Sequence, residues 1–196
     1  MSLKAIAVGF IWAIAPFFAL AGDETGAFAI KGAGAATCSK VIKSIDERDN
    51  ISLAYGGWLE GYLTASNLHL KETFDLAPWQ STYLLLKVVE SICTKKPDMN
   101  LQQAANKLIG ELVNQRLVTG GKFVQIGDGA TYVFQEEVII RMKQALKDKG
   151  FYSGELNAQY DDATKAAVAS FQKSIHDEET GLPGQKTLLY LFQESN

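Results

Sequence analysis

Between residues 38 and 112, apolar positions recur every three or four residues, the spacing of a helix buried along one face. Cys38, Val41, Ile42 and Ile45 form one short stripe, which Asp46 to Asn50 interrupts. Tyr55, Trp58, Leu59, Tyr62 and Leu63 form a longer stripe across Ile51 to Asn67. Pro78 is placed to open a third helix with Leu85, Val88, Val89 and Ile92 on its core face, and Pro97 forbids continuation. Asn100 with Gln103 three residues on resembles a capping box, and Leu101, Ala105, Leu108 and Leu112 give the core face of a fourth helix. The pattern predicts a small four-helix unit.

Beyond Leu117 the pattern changes. Thr119-Gly120-Gly121 and Gly127-Asp128-Gly129 are turn chemistry flanking Phe123 to Ile126 and Thr131 to Phe134, compatible with either a short β-hairpin or an extended linker. Three short helical patterns follow. Ile139, Met142 and Leu146 mark the first, which Gly150 ends after Lys147 and Lys149. Asp161 or Asp162 caps the second, with Ala167, Val168, Phe171 and Ile175 inward. Gly181, Pro183 and Gly184 make a turn before the third, whose Leu188, Leu191 and Phe192 face the core. The expected fold class is all-α: a four-helix domain over residues 22–117, a linker or short hairpin over 118–136, and a three-helix domain over 137–196.

The N-terminal 21 residues belong to neither unit. Lys4 precedes an apolar run from Ala5 to Leu20, and Ala19-Leu20-Ala21 has the small-x-small pattern of a cleaved signal peptide. A membrane anchor is the alternative, but Pro16 interrupts a run already short for a bilayer and no basic cluster follows. Export would leave 175 residues (196 minus 21) in a periplasmic, Gram-negative envelope setting, without membrane association. That setting alters the reading of the two cysteines, Cys38 and Cys93: an even count in an exported chain favours a disulfide over a metal site or a reactive thiol. A redox-active cysteine lacks a C-x-x-C neighbour. The net charge of -3, without a basic stripe, excludes the electrostatic footprint of a nucleic-acid binder.

Within the second helix Gly57, Gly61 and Ala65 recur every four residues, although each glycine costs roughly 0.5 to 1 kcal/mol relative to alanine in a helix interior. Either a neighbouring helix packs closely on this stripe, or the stripe is a groove for a partner. Ile30-Lys31-Gly32-x-Gly34-x-x-x-Cys38, Trp58-x-x-Gly61-Tyr62-x-x-Ala65-x-Asn67 and Cys93-x-x-x-Pro97 together resemble the HdeA-like family of small, disulfide-bonded, all-helical periplasmic proteins, over roughly Phe28 to Leu117. A related resemblance is to helical immunity proteins that block secreted wall amidases. Both imply a binding or protective domain without catalysis.

In the C-terminal segment, Leu146 with Gly150-Phe151-Tyr152-x-Gly154, then Asn157, Asp162 and Thr164 with Ala167-Val168-x-x-Phe171-Gln172, then Thr180-Gly181 and Thr187-Leu188 stand at fixed positions. Together they resemble the peptidoglycan-binding module of wall hydrolases and envelope proteins. Asn157 stands where the family has aspartate, Ala158 and Asp161 where it has glycines, and His176 to Glu179 where it often has an apolar residue. The resemblance implies that Tyr152, Asn157, Tyr160, Asp161 and Thr164 meet the glycan or stem peptide. Amide and hydroxyl groups beside an aromatic face suit polar, neutral ligands.

Catalytic patterns are missing from the sequence. His69 and His176 are the only histidines and neither has zinc-ligand spacing, so no metal or cofactor is expected. Glu60, between Trp58 and Tyr62 in sequence, is the one acid in an aromatic context, and it lacks a partner carboxylate for glycan cleavage. The expectation is a non-catalytic periplasmic protein that binds peptidoglycan and presents a helical domain to another periplasmic protein or a wall hydrolase. An inhibitor or immunity protein against such a hydrolase and an acid-stress chaperone are the alternatives.

Overall fold

The computed structural model describes residues 22–47, 49–129 and 131–193, so the signal-peptide expectation for residues 1–21 lies outside the described residues. Residues 22–30 belong to a short unit of their own, in which the Asp23 carboxylate accepts from the Thr25 amide and hydroxyl and from the Ala27 amide. Lys31 onward forms a second compact unit. It holds seven α-helices and one two-stranded sheet among the described residues.

The first four helices are α1 (Cys38–Glu47), α2 (Asn50–His69), α3 (Thr82–Lys95) and α4 (Leu101–Leu112). Their apolar stripes meet in one core that includes Val41, Leu59, Leu76, Val89, Leu101 and Leu108. Cys38 and Cys93 form a disulfide between α1 and α3, and both are fully buried. The capping box of α4 is present: the Asn100 side chain accepts from the Gln103 amide at 2.9 Å, and the Gln103 side chain accepts from the Asn100 amide at 3.0 Å. A 3-10 turn over Gly32–Ala35 leads into α1 and packs on α2. A Cβ at Gly34 would stand 2.1 Å from the Trp58 ring, so only glycine permits this approach, while the Trp58 indole N–H donates to the Lys31 carbonyl at 2.9 Å.

Two expectations need correction. Pro78 does not open α3, which begins at Thr82 behind a Ser81 cap that accepts from the Leu84 amide. The Gln185 side chain holds the preceding backbone out of a helix, accepting from the Ser81 amide at 2.7 Å and donating to the Trp79 carbonyl at 2.6 Å. Nor, among the described residues, does any helix pack on Gly57, Gly61 and Ala65. All three are exposed, and a Cβ at either glycine would meet nothing within 4 Å. Gly56 is the residue that faces α3, where a Cβ would lie 2.9 Å from the Thr82 methyl. Leu53 and Leu68, 74% and 77% exposed, extend the same open face of α2.

The segment that could have been a hairpin or a linker is a hairpin. Its strands β1 (Phe123–Ile126) and β2 (Tyr132–Gln135) are antiparallel, with Val124 opposite Phe134 and Ile126 opposite Tyr132. Cross-strand partners share a face, and this one points inward, with Ile126 and Phe134 buried. It joins the core of the last three helices, α5 (Glu136–Asp148), α6 (Asp162–Ser174) and α7 (Gln185–Phe192), beside Ile139, Met142, Leu146, Val168, Phe171 and Leu188. Leu117, expected at the end of the helical domain, is buried in this second core.

Polar bonds fasten the two cores together. Besides the Gln185 clamp, the Arg141 guanidinium donates to the Gln115 carbonyl at 2.7 Å and the Arg116 carbonyl at 3.3 Å while pairing with Glu137 at 2.9 Å. Leu117 pairs with Asp75 in an isolated antiparallel bridge, and the rings of Trp79 and Phe192 lie 5.3 Å apart. No helix among the described residues is long and apolar enough to cross a membrane.

Candidate functional site

Two of the residues singled out between α5 and α6, Tyr152 and Asn157, come together on a residue not singled out above, Lys143. Lys143 sits on α5 four residues after Ile139 and three before Leu146, on the buried face, and is fully buried. Its ammonium donates to the Asn157 side-chain oxygen at 2.8 Å and lies 5.4 Å from the centre of the Tyr152 ring, a cation–π contact. The i, i+4, i+7 row of α5 contained the signal for it. Lysine is read as surface by default, because isolated ammonium groups are costly to bury.

The chain reaches this site through a C-terminal cap. Gly150 takes a left-handed φ of 81°, the Phe151 amide donates back to the Leu146 carbonyl at 2.8 Å, and Tyr152 turns into the core with its hydroxyl donating to the Glu155 carbonyl at 3.0 Å. The Asn157 oxygen also accepts from the Gln159 amide at 3.0 Å, which closes the loop locally. Tyr160 is partly buried, donates to the Gly181 carbonyl at 2.6 Å, and has its phenol pKa pushed up by burial. Asp161 caps α6, accepting from the Thr164 hydroxyl at 2.5 Å and its amide at 2.8 Å, and Thr164 is fully buried.

These bonds leave little of the five residues facing solvent. Asp161 is exposed, Asn157 and Tyr160 are half-buried, and Tyr152 and Thr164 lie in the core. The loop surface is instead Ser153, Gly154, Glu155, Leu156 and Gln159. Below it, buried Gln172 places its side-chain nitrogen 2.9 Å from the Leu182 carbonyl and 3.1 Å from each of the Thr180 and Thr187 hydroxyls, three acceptors that share its two N–H protons, and its oxygen accepts from the Gly181 amide at 2.8 Å. One α6 amide thereby fixes the whole turn leading to α7.

Residues 135–191 match the family described as "Putative peptidoglycan binding domain". The match begins where β2 passes into α5 and ends one residue before the end of α7, so the matched module includes the Lys143 site and the Gln172 turn. No curated protein and no solved structure matches the chain.

Chemistry elsewhere is sparse. Glu60 is exposed and accepts from the Thr82 hydroxyl of α3, whereas Trp58 and Tyr62 stack on each other at 4.9 Å and Tyr62 bonds to Asn106 and Gln102 of α4. Glu60 therefore has no aromatic enclosure. Among the described residues, no three His, Cys, Asp or Glu side chains gather where a metal ion could be held.

The two aspartate caps give a pH prediction. The Ser44 hydroxyl and the amides of Ser52 and Ile51 hold the Asp49 carboxyl below its usual range, and the Thr164 hydroxyl and amide do the same for Asp161, with a smaller contribution from the Lys143 charge. A carboxyl with a lowered folded-state pKa contributes fully above its unfolded pKa, near 3.8 here, and that contribution is lost as pH falls through the folded value. Melting temperature should therefore drop as pH falls below about 4 and through the lowered folded-state values. Asparagine caps helices comparably without titrating, so the double variant Asp49→Asn, Asp161→Asn should flatten that drop. An equally steep fall in the double variant would place the acid-sensitive groups elsewhere.

Proposed function

We propose that the protein is a non-catalytic, exported envelope protein that attaches to peptidoglycan through its matched module and presents its helical half to another periplasmic protein. The observation that carries this reading is the family match over 135–191, on a segment with its own buried core. Export rests on the N-terminal sequence pattern and is consistent with the Cys38–Cys93 disulfide, since such bonds persist in oxidising compartments.

The open face of α2, with Leu53, Gly57, Gly61, Ala65 and Leu68, supports a protein partner for the helical half. Purified protein mixed with sacculi should pellet with them, and Leu53→Lys with Leu68→Lys on α2 should leave that pelleting unchanged. Protein that stays in the supernatant would refute wall attachment. If the α2 variant alone stays there, attachment runs through the helical half instead.

A further inference from the structure

A cleft of 650 Å³ opens where the two cores meet, between α3 and α4 on one side and α5 and α7 on the other. The matched module contributes Val138, Arg141, Gln144, Ala145, Asp148 and Leu189, and the rest of the lining lies outside the match. Its volume falls in the range of small-molecule sites, about 300 to 1,000 Å³. Trp79, Leu84, Val88, Leu189 and Phe192 give it apolar walls, and Gln80, Asn114, Gln144 and Gln193 supply carboxamides, each able to donate and accept.

The charges decide what such a cleft takes. Glu111, in the last turn of α4, and Asp148, at the end of α5, both line it. Arg141 is the base among the described lining residues, and Glu137 and the carbonyls of Gln115 and Arg116 already occupy its guanidinium. An anionic ligand would meet Glu111 and Asp148, the latter accepting from the Gln144 amide at 2.7 Å, while Arg141 is engaged as above and Lys149 beside the cleft donates to the Gln193 carbonyl at 3.2 Å. Peptidoglycan has two chemically distinct parts: stem peptides rich in carboxylates, and a glycan backbone of N-acetylated sugars that is neutral when its lactyl groups are amidated. Sugar hydroxyls donate to carboxylates and carboxamides, and the apolar face of a sugar ring packs on aromatic and aliphatic walls.

We infer that this cleft between the two cores binds the neutral N-acetylated glycan of the wall rather than its peptides. The inference rests on the wall-attachment reading and extends it, because α3 and α4 then form half of the glycan site. The Gln185 clamp and the Arg141 bonds become the parts that hold the two walls in register.

The test titrates the full chain with triacetylchitotriose and, separately, with the tetrapeptide L-Ala-γ-D-Glu-diaminopimelate-D-Ala, by calorimetry and tryptophan fluorescence. The trisaccharide should saturate, and the peptide should bind about tenfold more weakly or worse. Gln144→Ala with Gln193→Ala, both exposed on helix ends or faces, should weaken trisaccharide binding about tenfold at an unchanged melting temperature. Gln159→Ala on the α5–α6 loop should not. Preferential peptide binding, or trisaccharide binding that survives the cleft variant, overturns the assignment. No trisaccharide binding by a protein that still pellets with sacculi overturns it while wall attachment stands; loss of both removes wall attachment too.

Discussion

Replacing Cys38 and Cys93 together by alanine lowers the unfolding free energy by about 4 kcal/mol, measured by denaturant titration against the oxidised protein. The bridge closes a loop of 55 residues, and the loop-closure entropy it removes from the unfolded chain is worth about that much at room temperature. Both cysteines are fully buried, so lost packing adds to the deficit. Against a typical total stability of about 5 to 15 kcal/mol, the helical half should lie near its folding threshold without the bond. Reduction of the wild type should reproduce most of the loss. A deficit under about 1 kcal/mol would mean that the unfolded chain is already constrained between these positions.

Gln172→Leu should cost about 3 kcal/mol, although leucine is similar in size and the site is an apolar core. Gln172 is 2% exposed, and its amide serves the Gly181 amide, the Leu182 carbonyl and two threonine hydroxyls. Leaving a buried polar group unpaired costs about 1 to 3 kcal/mol, and Gly181 and Thr187 are both buried here. Thr180 is exposed, so Thr180→Ala should cost about 1 kcal/mol or less, because water replaces its lost bond. Thermal melts of the two variants separate the alternatives. If Gln172→Leu proves neutral, the turn before α7 is held by packing and not by this amide.

What was legible in the sequence was local. The apolar stripes, the Asn100–Gln103 capping box and the Gly150 helix stop each act within a few residues, and the structure has them where the pattern put them, with Asp161 the cap of α6 where the pattern left Asp161 and Asp162 open. The pairing of two cysteines needed only their number and an oxidising setting. Long-range features left no such trace. Gln185 bonds to residues 104 and 106 positions away, and nothing in its neighbourhood distinguishes it from a surface glutamine. Pro78 has the right chemistry for a first helical turn, but the backbone groups beside it were already engaged by that side chain. The Gly57-Gly61-Ala65 stripe looks the same whether a helix covers it or solvent does, so spacing could not choose between the two. Lys143 was hidden by the prior that lysines are exposed. The resemblance assigned wall contact to Tyr152, Asn157, Tyr160, Asp161 and Thr164, and in the structure most of their polar atoms serve the loop and the helix cap.

The burial of Leu117 in the second core bears on how this gene can be cut. A cassette that ended the helical half at residue 117 would strip the other piece of a core side chain and of the Asp75 bridge, while the helical piece would lose the partner of its Trp79 ring. Fragments made at that point would each expose apolar surface shielded in the intact chain. Fusions and swaps should therefore carry residues 31–193 whole, and binding data from isolated halves would report on damaged proteins.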